Sequence, residues 1–138
     1  MVTSARRRAF AGAATSGAVA STAYAAGALL LAAVAAVHVQ QFVELFYGVS
    51  WIGPLFIALA AGCVLVIAGL AYPPTRRLAA LAGMAVSVLA LGGLVVSYGH
   101  GLFGWQEVGF RTSIAVAVVS EVLAVIALAL GLTVESRS

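Results

Sequence analysis

The stretch FRTSIAVAVVSEVLAVIALALGL, Phe110 to Leu132, decides the fold. From Ile114 onward every residue is apolar, small or serine except one, Glu121. A helix needs about 20 such residues to cross the hydrocarbon core of a bilayer. The run is too long for a strand and too uniformly apolar for the surface of a water-soluble domain, so it reads as a transmembrane helix with a carboxyl group near its middle.

Three more runs of this kind precede it. Leu78 to Tyr98, LAALAGMAVSVLALGGLVVSY, is separated from the first by the glycine-rich GHGLFGWQEVG. Pro54 to Tyr72 opens with IGP, where proline's missing N–H costs nothing in a first turn, and closes with YPPTRR, because Pro73 and Pro74 cannot continue a helix. Ser21 to Val43, STAYAAGALLLAAVAAVHVQQFV, is the earliest. Spans at about 21–43, 54–72, 78–98 and 110–132, joined by short connections, predict an all-α integral membrane protein, an antiparallel four-helix bundle. Residues 1–18 then form a loose or partly helical arm, 19–134 the bundle, and 135–138 a tail.

Composition supports this reading and excludes several functions. Of the 138 residues 64% are hydrophobic and 8% charged, where a soluble domain carries about 25% charged. The mean hydropathy is +1.16. All seven positive residues are arginines at chain ends and turns, so there is no basic patch for nucleic acid. Cys63 is the single cysteine, which removes intrachain disulfides, paired-thiol chemistry and thiolate metal cages. Aspartate is absent and only Glu44, Glu107, Glu121 and Glu135 remain, too few and too scattered to cluster around magnesium for phosphoryl transfer. The absence of lysine, asparagine and aspartate, with alanine and valine abundant, fits a GC-rich bacterial genome.

Arginine asymmetry predicts orientation. Arg6, Arg7, Arg8, Arg76, Arg77 and Arg137 fall on one side of the four spans and Arg111 alone on the other, which places both termini in the cytoplasm of a plasma-membrane protein. RRRAFAGAATSGAVASTAYA imitates an exported leader. Cleavage after Ala25, however, would leave the best apolar part of the first span at the new terminus, so a retained anchor is the simpler reading.

Lipid gives helices no hydrophobic reason to associate, so small residues must allow close packing. On the third span Ala79, Gly83, Val86, Ala90, Gly93, Ser97 and His100 form a stripe at steps of three and four. Ala58, Ala61, Gly62, Ala68 and Gly69 add small residues on the second. The stripe predicts one continuous helix–helix seam.

Two groups of polar residues remain. Ionised Glu121 at the midplane costs about 2.5–3.5 kcal/mol on insertion scales. Counting from span centres, its level holds Cys63, Ser87 and Ser120 and no cation. The expectation is a protonated acid that donates to a serine hydroxyl or a carbonyl, either fixing helix register or carrying a proton. Nearer the outer end, His38, Gln41 and Glu44 follow at steps of three, opposite His100, Glu107 and Arg111. This predicts a polar collar or the mouth of an outward pocket, with Glu107 and Arg111 paired along an early start of the fourth helix. Haem between His38 and His100 is disfavoured by a depth mismatch of about 9 Å at 1.5 Å per residue. Zinc on His38, His100 and Glu44 or Glu107 has suitable ligand types without a spacing motif. No cofactor and no metal is expected.

VSWIGPLFIALAAG, GLFGWQE and SEVLAVIALAL together resemble a group of small four-span membrane proteins of GC-rich Gram-positive bacteria without an established activity. The likeness runs from about Val37 to Leu132. It implies four helices, with Glu121, the glycine loop and the His38 region as shared features. Small multidrug exporters also use one intramembrane glutamate, but theirs lies in the first helix, where this chain has only His38 and Glu44 near the outer end. The leading functional expectation is a structural or accessory membrane protein, in a homo-oligomer or with another membrane protein. The alternative is a small proton-linked transporter using Glu121.

Overall fold

The computed structural model describes residues 2 to 137, with side chains from Ala14 onward. The side chains of Arg6, Arg7 and Arg8, and the whole of Ser138, lie outside the described residues. Helix α1 spans Val2–Gln41 and continues through a π-helical turn, Phe42–Phe46. Helix α2 is Ile52–Ala71, followed by a 3-10 turn, Pro73–Thr75; α3 is Arg76–Gly99 and α4 is Thr112–Glu135. Each of the four is long and apolar enough to cross a membrane. The chain is an all-α four-helix bundle of multi-pass membrane composition.

The helices are antiparallel, each packed on its chain neighbour, and α1 closes the bundle by packing most extensively against α4. One end carries the α1–α2 and α3–α4 connections and is called the loop end. The other, the terminal end, carries the α2–α3 turn and the end of α4. At the terminal end Pro73 stops α2, and the carbonyls left without helical partners are taken by side chains. Thr75 Oγ1 donates to the Gly69 carbonyl at 2.8 Å and Arg76 Nε to the Leu70 carbonyl at 3.0 Å.

Helix α4 supplies the most inward-facing stripe: Ile114, Ala117, Glu121, Ala124, Leu128 and Gly131 are buried at steps of three and four, with Ser120 buried beside Glu121. Leu128 is the central knob. A Cβ at Gly27 of α1 would lie 2.6 Å from one of its methyls and a Cβ at Gly83 of α3 2.8 Å from the other, so Leu128 keeps this position only while both places are glycine. Around it Leu31, Val34, Cys63, Val66, Leu70, Ala80 and Ala124 form a packed core that fills the terminal half. A polar clamp ties the same end together. Tyr24 Oη donates to Glu135 Oε2 at 2.7 Å, Arg77 Nε donates to the same oxygen at 3.2 Å, and the Arg76 guanidinium lies 5.7 Å over the Tyr24 ring.

The expected seam on α3 holds only in part. Ala79 and Gly83 are packed, but Val86, Ala90 and Gly93 line a void, and His100 is exposed at the helix end. On α2, Ala58, Ala61 and Ala68 are exposed rather than interfacial. The cause is divergence. A Cβ at Gly69 would stand 2.8 Å from Ala79 Cβ, one at Gly62 3.9 Å from a Val86 methyl, and one at Gly93 would meet no atom of α2 within 4 Å. Helices α2 and α3 touch near their turn and separate toward the loop end.

Candidate functional site

That separation leaves a cavity of about 350 Å³ in the loop half of the bundle. Its walls are mostly apolar: Ile52, Leu55, Phe56 and Leu59 from α2, Val86, Leu89, Ala90, Gly93 and Leu94 from α3, Ile114 and Ala117 from α4. Five polar side chains reach it, His38, Gln41, Ser97, Glu107 and Glu121.

The roof is the loop between α3 and α4. Leu102 and Trp105 exchange backbone hydrogen bonds at 2.7 and 2.9 Å, with Phe103 (φ 48°) and Gly104 (φ 83°) between them. Positive φ at both central residues is the pattern of a tight type I′ hairpin turn. The turn lays Leu102 and Trp105 over the cavity. Trp105 meets the buried Phe46 edge-on at 5.1 Å, Phe46 meets Phe56 at 4.6 Å, and Phe56 meets the His38 ring at 5.0 Å, a continuous aromatic column from roof to floor.

At the floor, Glu121 is 2% exposed and its Oε1 lies 3.9 Å from His38 Nε2. The other ring nitrogen, Nδ1, is 2.8 Å from the Val34 carbonyl. A carbonyl can only accept, so Nδ1 carries the hydrogen and the neutral ring turns a bare acceptor, Nε2, toward the carboxyl group. The gap of 3.9 Å is longer than a direct hydrogen bond. A proton or donor held between the two is shared by both.

Several sequence expectations change here. Glu121 makes no hydrogen bond to a serine among the described residues; the Ser87 hydroxyl is buried without a partner, and Cys63 is sealed in the core rather than in the cavity wall. His38, which depth counting had separated from Glu121, is its neighbour. Span centres misplace the two residues, because α1 extends through the π-turn to Phe46 and α4 starts only at Thr112. Measured from those loop-end limits His38 lies eight residues in and Glu121 nine, about 12 and 14 Å at 1.5 Å per residue.

The collar divides in the same way. His38, Gln41 and Glu107 are buried against the cavity, while Glu44 and His100 are exposed. Each step of three residues falls about 60° short of a turn, and the wider π-turn adds to the drift, so Glu44 leaves the stripe and takes a hydrogen bond from Gln40 at 3.0 Å instead. Arg111 and Glu107 do pair, at 2.8 Å, but across the loop: Arg111 is the extended residue before α4 begins. His38 and His100 are not brought together. No three His, Cys or acidic side chains among the described residues lie close enough to hold a metal ion. The Tyr24–Glu135 clamp was missed because its residues are 111 positions apart, one inside the first span and one beyond the expected end of the fourth, without any motif.

No protein-family model, no curated protein and no solved structure matches the chain.

Proposed function

We propose that this chain is a small proton-linked membrane protein that binds a small molecule in the loop-half cavity, with Glu121 and His38 as its proton site. The observation that carries the reading is the pair itself, a buried carboxyl group 3.9 Å from an imidazole acceptor on the floor of a cavity. A purely structural carboxyl would be expected to spend its proton on a nearby hydroxyl or carbonyl, and a register-fixing bond needs no void beside it. Pockets for small ligands have this composition, a largely apolar wall with few convergent polar groups, and about 350 Å³ falls at the lower end of their usual size of about 300–1,000 Å³. An ionisable residue on a bundle interior is a functional candidate for the same reason it is expensive there.

In this reading the protein sits in a bacterial plasma membrane with both termini cytoplasmic and the loop end outside, and its exposed leucines and valines face lipid. Proton flux into proteoliposomes, followed with an entrapped pH dye under an imposed proton gradient and a panel of membrane-soluble compounds, tests it. Wild-type protein should show flux coupled to at least one compound, and Glu121→Gln, equally abundant and folded, should show none. Equal flux in both would return the chain to the structural and accessory role.

A further inference from the structure

The cavity is open on one side, and the opening faces the region where lipid would lie. Leu55 of α2 is 46% exposed and Leu89 of α3 73% exposed, yet both line the cavity. The gap between α2 and α3 therefore joins the cavity to the outer surface of the bundle in its apolar zone, while the hairpin of Leu102 and Trp105 covers the loop end.

What the interior presents is equally one-sided. In the neutral ring Nε2 of His38 is an acceptor, because Nδ1 is committed to the Val34 carbonyl. The carboxylate of Glu121 is an acceptor without a partner in hydrogen-bond range among the described residues. Arg111, the only arginine near this end, is already tied to Glu107 at 2.8 Å. Titratable groups approach Glu121 from three directions: His38 on α1, Cys63 on α2, which lies in the core below it, and the Glu107–Arg111 pair in the roof. No titratable residue of α3 lines the cavity. A floor of acceptors and acids beneath aromatic and aliphatic walls is complementary to a donor that carries positive charge on an apolar body.

We propose, resting on the proton-linked reading, that the cavity takes a hydrophobic primary or secondary amine, as its ammonium ion, out of the bilayer through the gap between α2 and α3. The ammonium N–H groups bond to the Glu121 carboxylate and to His38 Nε2, with the apolar body against Phe56 and Leu94. As it docks, the Glu121 carboxyl gives its proton to water. One positive charge enters the site and one leaves, so no net charge is buried.

The test uses the full chain in lipid nanodiscs and three molecules with one ring: naphthylmethylamine, naphthylmethanol and naphthoate. The amine should bind about tenfold or more tightly than the alcohol, the size of effect expected of a charge-assisted bond away from water. It should also release a proton that a pH dye registers. Its affinity should fall as pH falls, since protons compete with ammonium for one carboxylate, while that of the alcohol stays flat. Glu121→Gln should bind amine and alcohol alike; retained alcohol binding shows that this variant is folded. Leu89→Trp, in the gap, should slow amine association severalfold, and Gln106→Trp, on the exposed loop, should not. An amine preference that survives Glu121→Gln overturns Glu121 as the ammonium's partner, wild-type protein that binds amine and alcohol alike overturns the ligand class, and the reverse ranking of the two tryptophan variants overturns the lateral path. Proton release with the alcohol or naphthoate alone overturns the amine and leaves the proton-linked reading standing. An infrared carboxyl band for Glu121 that does not change between pH 4 and pH 10, a window of about six units spanning carboxylate and imidazole titration, overturns both.

Discussion

A single methyl group separates the glycines that hold this bundle from those that only line its void. At Gly83 a Cβ would stand 2.8 Å from Leu128, 3.0 Å from Val66 and 3.2 Å from Leu31, so side chains on three other helices would have to move. At Gly69 the obstacle is Ala79 Cβ, which has no rotamer to escape into. Gly93 and Gly62 have their nearest neighbours at 3.8 and 3.9 Å. Gly69→Ala and Gly83→Ala should each lower stability by about 1–3 kcal/mol, the usual range for overpacking. Gly62→Ala and Gly93→Ala should fall within about 0.5 kcal/mol of wild type. Thermal aggregation of the four variants in one detergent checks this; a loss at Gly93 equal to that at Gly83 would restore the continuous seam. Steps of three and four put both glycines on one face of α3 in the sequence, but spacing alone carries no information on how far away the next helix is.

Among the elements, the helices were legible and their ends were not. Four long apolar runs leave a bilayer few alternatives, because backbone groups in hydrocarbon must be bonded within their own segment. The limits shifted where local geometry departed from an ideal helix. The π-turn at Phe42–Phe46 moved one end outward, and the extended backbone at Arg111 moved another inward. Those two displacements hid the His38–Glu121 pair. The hairpin roof was hidden as well, since Phe103 is not a residue whose sequence announces positive φ. The clamp at the other end allows two bonds to be ranked. Tyr24 is buried and its 2.7 Å bond ends on a carboxylate, whereas Arg77 reaches the same carboxylate from a largely exposed position. Tyr24→Phe should cost about 1–2 kcal/mol, toward the value for bonds to charged groups, and Arg77→Ala less than about 0.5 kcal/mol. Chemical denaturation in mixed micelles would read both, and a larger loss for Arg77→Ala would show that the ion pair dominates.

For the molecule as a whole, the side of the membrane that the cavity serves depends on which way the bundle sits. Six of the seven arginines flank the terminal end and one the loop end, so the loop end is expected outside. Cys63 is completely buried and gives a silent background for labelling. A cysteine at Gln106, exposed and free of the positive φ that makes Gly104 a poor site, should react in intact cells with a membrane-impermeant maleimide. One at Arg137 should react only after lysis. The opposite pattern would turn the cavity toward the cytoplasm.

The contact of Gly69 with Ala79, and the widening of α2 from α3 beyond it, give this hairpin the mechanics of a pair of tongs. Its pivot is the rigid Pro73–Pro74 bend, braced by Thr75 and Arg76 on the last carbonyls of α2. A small rotation at such a pivot changes little where the arms touch and much at their tips. A widening of the gap would therefore leave the packed half around Leu128 in place, since the cavity and the packed core occupy opposite halves of the bundle.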